Sequence, residues 1–313
     1  MSKKLAVVAI GGNSLIKNKD RQRVEDQYDA AHETCQHIAD LAEEGWDIVI
    51  THGNGPQVGF ILLRSDLAKN QLHEVPLDAC DADTQGAIGY HLQQNLQNEL
   101  ARRGKPRPVA TIVTQVVVDA NDPSFGNPSK PIGPFYNEAE AREAKEQRGW
   151  AVVEDSGRGW RRVVPSPMPE RIVEFEAVQA LIEAGVITIA VGGGGIPVVE
   201  TSDGLRGVAA VIDKDRAGTL LANNLGAPHL IISTAVEKVS LNFGTPEQQD
   251  LDVVTVADAK RYMDEGHFAP GSMKPKMEAA ITFLENGGER VIITSPEHLL
   301  DAVHGTTGTH ITH

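Results

Sequence analysis

Three short apolar runs in this 313-residue chain end directly in glycine-rich turns. They are Leu5–Ile10 before Gly11-Gly12-Asn13-Ser14, residues 46–50 before Thr51-His52-Gly53-Asn54-Gly55-Pro56, and residues 186–191 before Gly192-Gly193-Gly194-Gly195. Leu5–Ile10 is an unbroken apolar run, which suits a parallel strand buried on both faces. Between the first two, residues 23–41 place Val24, Tyr28, Ala31, Cys35, Ile38 and Leu41 at three- and four-residue steps, the period of an amphipathic helix. The rhythm continues: helices over 83–103, 170–184, 215–225 and 276–286, and strands over 109–118, 229–233 and 290–294. Alternation at this spacing requires right-handed crossovers and a mainly parallel sheet covered on both faces.

One stretch interrupts it. Residues 119–169 are rich in Pro, Gly and charge, with a helical patch at 138–148. Two strand-like runs, 150–154 and 160–164, are joined by Asp155-Ser156-Gly157-Arg158-Gly159, which predicts a hairpin. A structureless loop of such length is uncommon inside a compact domain, so 119–169 is expected to be an inserted lid subdomain in an otherwise single domain.

In an open α/β sheet, ligands bind beyond the carboxyl ends of the strands, where successive N–H groups and helix N-termini attract anions. Three glycine turns at such ends predict one shared anion site. The chain carries 29 Lys plus Arg against 43 Asp plus Glu, a formal charge of −14. That balance disfavours binding to nucleic acid or to anionic membranes, so an anionic substrate needs a locally basic pocket. No GxxxxGK[ST] occurs and no GxGxxG opens the helix after the first strand.

The candidate cations are lysines in unusual surroundings. Lys130 and Lys276 stand among prolines, in Pro128-Ser129-Lys130-Pro131 and Lys274-Pro275-Lys276, which stiffen the backbone and lower the entropy lost in fixing a side chain. Lys214 lies between Asp213 and Asp215 ahead of a helix. Those carboxylates suit orienting the ammonium or holding a divalent metal, and Asp215 is a candidate helix cap. Of the histidines only His52 adjoins a glycine turn, and it is expected to be structural. Cys35 and Cys80 form no metal or redox motif and are expected to be buried thiols of a reducing cytoplasm. The N-terminal apolar run is too short for a secretion signal or a membrane span.

The segments AIGGNSL, THGNGPQVG, TQGAIGYHLQQ, PSKPIGPFY, DSGRGWRRVVPSP, GGGGIPVV, VIDKDRAG, NFGTPEQ, APGSMKPKMEAA and the closing GTHI resemble the carbamate kinases of the amino-acid kinase superfamily, essentially from end to end. The resemblance implies an open three-layer α/β/α sandwich around a mainly parallel sheet, and reversible phosphoryl transfer between ATP and carbamate. It implies ATP or ADP and carbamate or carbamoyl phosphate as ligands, Mg²⁺ with the nucleotide, and a homodimer. Gly11, Gly12, Asn13, Gly53 and Asn54 would cradle the carbamate and the transferred phosphoryl group. Lys214 and Lys276 would bridge the phosphates, while Asp213 and Asp215 would orient the lysines and Asp213 would help place Mg²⁺. Lys130 would close over the substrate from the lid, and Gly193, Gly194, Val236 and Met273 would border the nucleotide. Another carboxylate or acyl kinase of the superfamily, and a nucleotide-binding regulatory protein without catalysis, are the alternatives. Phosphoryl transfer needs alignment and charge stabilisation above all, and carbamate is already ionised near neutral pH, so a set of Lys, Gly and Asp without a general base suffices.

Overall fold

The computed structural model describes residues 4–12, 15–16, 21–155 and 159–313. An eight-stranded sheet runs in the order Val253–Thr255, Thr309–Thr312, Arg290–Thr294, His229–Ser233, Leu5–Ile10, Asp47–His52, Ile187–Ile189 and Val109–Thr111. Its pairings are parallel except between Arg290–Thr294 and Thr309–Thr312. Leu5–Ile10, buried along its whole length, lies at the centre with Asp47–His52 and His229–Ser233 on its two sides.

Alternate residues of that strand feed two separate cores. Leu5 and Val7 join Val178, Leu221, Met277 and Phe283 from helices Phe175–Glu183, Lys214–Asn224 and Met273–Glu285. Ala6, Val8 and Ile10 join Ile38, Leu92, Leu96 and Leu299 from helices Val24–Glu43, Leu77–Arg102 and Leu299–Val303. Because successive strand side chains point to opposite faces, a wholly apolar strand must be covered twice, and the result is a three-layer α/β/α sandwich.

Two smaller sheets complete the part that bears on the site. One has four strands, in the order Gly204–Gly207, Ile196–Thr201, Gln115–Val118 and Pro169–Ile172. The other pairs Lys130–Tyr136, Trp160–Val164 and Val152–Glu154 antiparallel, beside helix Glu138–Arg148. Ser156, Gly157 and Arg158 of the expected hairpin turn lie outside the described residues.

Two expected elements are corrected. The single strand over 109–118 is two strands, one in the main sheet and one in the four-stranded sheet. Gln85 causes the break: its Oε1 accepts from Thr114 N at 2.8 Å and its Nε2 donates to Thr114 O at 3.0 Å, capturing the backbone as it leaves the main sheet. The helix over 170–184 is a strand, Pro169–Ile172, followed by helix Phe175–Glu183. Glu174 forms the corner by accepting from Gln115 N and Gln115 Nε2, each at 2.7 Å, so pairing with a remote strand overrides local helical preference.

Among the described residues no helix is long and apolar enough to cross a membrane. Cys35 and Cys80 are free and buried as expected. Burial, with Asp81 next, pushes the Cys80 thiol up to about 12, and burial raises Cys35 further, so neither is a ready nucleophile.

Candidate active site

The three glycine turns meet above the carboxyl ends of neighbouring strands. The third is the most demanding: Gly193, Gly194 and Gly195 have φ values of 69°, 99° and 86°, a left-handed run open only to glycine. A Cβ on Gly194 would stand 2.3 Å from Ile212 O, so the turn presses directly on the segment that leads to Asp213. Gly53 performs the same service in the second turn, where a Cβ would lie 3.0 Å from Lys214 Cδ.

Against these turns the fold brings three lysines and two aspartates from separated parts of the chain. Lys130 opens the strand Lys130–Tyr136, and its Nζ donates to Asp213 Oδ2. Lys214 begins helix Lys214–Asn224 and donates to Asp215 Oδ1, while Lys276 reaches the other oxygen, Asp215 Oδ2, at 3.0 Å. Asp213, not Asp215, caps the helix: its Oδ1 accepts from Asp215 N at 2.9 Å. The correction has a simple cause, since an N-cap residue must precede the first helical turn and Asp215 already lies within it.

Burial by itself would raise the Asp213 carboxyl, but the charges of Lys130 and Lys214 overcome it and hold the group well below the usual range. Asp215 is held low in the same way by Lys214 and Lys276. Burial opposes the charge of Lys214 too, yet Asp215 and Asp213 raise it above its ordinary value. Lys276 is different: burial and the neighbouring Lys214 charge prevail over Asp215 and bring it down to about 8. An anion entering beside Lys276 supplies the missing counter-charge.

The cavity they surround has a volume of about 510 Å³. Gly11, Gly12, Gly53, Asn54, Lys130, Gly193, Asp213, Lys214, Asp215 and Lys276 all line it. Asn13 lies outside the described residues. Gly194, Val236 and Met273 do not line it: Gly194 is buried behind the turn, Val236 is half-buried beyond Thr234 and Ala235, and Met273 packs on the hydrophobic core. In place of the last two, Thr234, Ala235, Ser272 and Pro275 form the wall. Arg161 is an addition from the strand Trp160–Val164, donating from Nη2 to Gly133 O at 3.1 Å with its guanidinium 5.2 Å from the Phe135 ring. Its neighbours in DSGRGWRR marked the segment, but no spacing distinguished Arg161 from Arg162. The wall thus holds four cationic side chains and two carboxylates, a basic pocket in an acidic protein.

Helix Leu77–Arg102 supports the turns from below through residues that sequence reasoning did not single out. Gln85 Nε2 donates to Gly192 O at 2.9 Å as well as to Thr114 O, so one side chain ties the tetraglycine turn to the strand break. Asp81, 1% exposed, accepts from Asn54 Nδ2 at 2.8 Å, and its Oδ2 is buried with no hydrogen-bond partner among the described residues. Burial holds this carboxyl well above the usual range, against the Asn54 bond. His52 packs beneath Gly192 and its Nδ1 lies 2.9 Å from Gly53 O. Burial lowers it to about 4, so it is neutral at pH 7 and serves to brace the turns.

Among the described residues no group of three or more His, Cys, Asp or Glu could hold a metal ion. Both oxygens of Asp213 and both of Asp215 already accept from lysines or backbone. This donor set fits Mg²⁺ only as an ion carried mainly by phosphate oxygens and water, with a single carboxylate at its side.

The sequence matches the model of the amino acid kinase family over residues 4–295. It is 53% identical to the carbamate kinase-like protein YahI of Escherichia coli over 99% of each chain. It is 49% identical to the carbamate kinase of Thermococcus kodakarensis over 98% of this chain and 99% of that one. The structure is similar to that of carbamate kinase from Giardia lamblia bound to AMP-PNP, with a TM-score of 0.92, 39% identity and 99% of each chain covered.

Proposed function

From the premise that the chain belongs to the amino acid kinase family, we infer that it is an enzyme of the carbamate kinase type, transferring a phosphoryl group reversibly between ATP and carbamate. The observation that carries this reading is the convergence of Lys130, Lys214 and Lys276 on one cavity floored by Gly11, Gly53 and Gly193. In the direction of ATP synthesis, an ADP β-phosphate oxygen attacks the phosphorus of carbamoyl phosphate, and carbamate leaves to decompose to CO2 and ammonia. Negative charge spreads over the transferred oxygens, and fixed lysines and backbone N–H groups stabilise it without reorganisation. Asp213 and Asp215 hold the ammonium groups in place before substrate arrives. A carbamate leaving group needs no proton in this step, which accords with a neutral, buried His52.

Mg²⁺ belongs to this reading as the partner of the nucleotide, neutralising phosphate charge, with Asp213 as the one protein carboxylate to help hold it. Residues 119–169 would act as a lid over the carbamoyl end. A homodimer is also part of the reading, supported by the exposed Tyr90 and Val113 beside the edge strand Val109–Thr111. Light scattering should return twice the chain mass, and a monomer at assay concentration would remove the dimer from the account. A cytoplasmic location is supported by the two buried, unbridged cysteines. Purified protein given ADP, carbamoyl phosphate and Mg²⁺ should form ATP, whereas intact ADP binding with no ATP formed would favour a regulatory nucleotide binder.

Two further outcomes follow from the lysines. Lys130→Ala should raise the KM for carbamoyl phosphate more than tenfold while changing that for ADP only a few fold, because Lys130 arrives on the lid strand. Weakening confined to ADP would overturn the lid reading. Lys276, brought down to about 8, is charged below that pH and loses its proton above it. The kcat/KM for ADP, which reports the free enzyme, should therefore fall as pH rises through about 8. Bound phosphates raise the Lys276 value again, so the alkaline limb of kcat should lie at higher pH. Coincident limbs would exclude Lys276 as the titrating group.

A further inference from the structure

Asn54 lines the cavity at 4% exposure. A primary amide can face a ligand with two N–H donors or with a carbonyl oxygen, and the two choices recognise opposite chemistry. Its surroundings decide between them. Asn54 Nδ2 donates to Asp81 Oδ1 at 2.8 Å and to Thr84 Oγ1 at 3.3 Å. The Thr84 hydroxyl gives its own hydrogen to Asp81 O at 2.7 Å, so towards Asn54 it can only accept. Both N–H bonds of the amide are committed to the protein, and Oδ1 is the polar atom left for a ligand. Turning the amide over would set Oδ1 against two buried oxygens, since Asp81 and Thr84 are each 1% exposed. Burial raises the Asp81 carboxyl well above its usual range, against the opposing hydrogen bond from Asn54.

An uncharged acceptor stands apart in a cavity whose carboxylates, Asp213 and Asp215, already accept from lysines or backbone. It suits a substrate that carries N–H at its non-phosphorylated end. We propose that Asp81 and Thr84 are positioning residues that lock the Asn54 amide with Oδ1 towards the cavity, where it accepts a hydrogen bond from the substrate amino group and selects carbamoyl over acetyl phosphates. This rests on the carbamate kinase reading, and sharpens it: a methyl group in place of the amino group leaves Oδ1 buried and unpaired.

The test is the dissociation constant of carbamoyl phosphate and of acetyl phosphate for the full chain without nucleotide, so that no transfer occurs. The wild type should bind carbamoyl phosphate roughly tenfold or more tighter, the discrimination one neutral hydrogen bond supplies. Asp81→Leu frees the amide and should bring the ratio to about twofold or less. Asp81→Asn retains an oxygen acceptor for Asn54 Nδ2 and should keep the wild-type ratio, while Thr84→Val should lower it in part. A wild-type ratio near one overturns the proposal, as does equal weakening of both ligands in Asp81→Leu, which marks a merely structural role. Should Asp81→Leu fail to fold, an unchanged ratio in Thr84→Val overturns it instead. A wild type that forms ATP from carbamoyl phosphate yet shows a ratio of one fails only this inference, whereas a wild type that forms none fails the functional reading itself.

Discussion

Lys214→Ala is expected to lower kcat for ATP formation by about a thousandfold or more, equivalent to about 4 kcal/mol of transition-state stabilisation. The side chain is 14% exposed, lies against Gly53, and is held by Asp215. The other cations of the cavity among the described residues are engaged elsewhere: Lys276 with the second oxygen of Asp215, Lys130 with Asp213 and Arg161 with Gly133 O. Removing the ammonium also takes away the like charge that, after burial, lowers Lys276. The variant should therefore show its alkaline limb in kcat/KM displaced above the wild-type position near 8. That displacement separates loss of a charge from general damage, which would leave the limb where it was. Normal turnover in a folded Lys214→Ala protein would remove this lysine from the mechanism.

Gly59→Ala is expected to lower kcat/KM for carbamoyl phosphate by about a hundredfold, at a cost of about 1–3 kcal/mol in stability. Gly59 lies in helix Gly55–Ala68, and a Cβ there would stand 1.9 Å from Gly133 Cα and 2.3 Å from Gly133 N. Both are backbone atoms, so no rotamer change relieves the overlap and the strand Lys130–Tyr136 must move bodily by an ångström or more. Lys130 travels with that strand, away from Asp213 and the glycine turns. Gly86→Ala provides the contrast: Gly86 lies in helix Leu77–Arg102 with nothing within 4 Å of an added Cβ, and should gain about 0.5–1 kcal/mol. A Gly59→Ala enzyme with unchanged KM for carbamoyl phosphate would show that the strand Lys130–Tyr136 plays no part in binding it.

Much of the architecture was legible because a doubly covered strand leaves a local signature. Leu5–Ile10, His229–Ser233 and Arg290–Thr294 stand where their apolar runs predicted. The failures have one cause. Residues 109–118 read as one strand because Val and Thr favour extended structure throughout, and only Gln85, from a helix earlier in the chain, splits them between two sheets. Residues 170–184 read as one helix because apolar spacing continues across Ile172, which instead pairs with Val116. Pairing with distant partners leaves no trace in local periodicity.

For the site, the sequence alone determined the parts: glycine turns at strand ends, lysines in stiff or acidic settings, and a charge balance that demanded a local basic pocket. These follow from short-range sterics and composition, which a linear chain displays. Only the tertiary structure decided how the parts combine. It assigned one aspartate to Lys130 and the other jointly to Lys214 and Lys276, moved the helix cap to Asp213, and excluded Gly194, Val236 and Met273 from the cavity wall. It also buried Asp81 and Thr84 behind Asn54, turning an ambiguous amide into an acceptor. Charge and hydrogen-bond direction depend on burial and on neighbours far away in the chain, and both come into being only when the sheet closes.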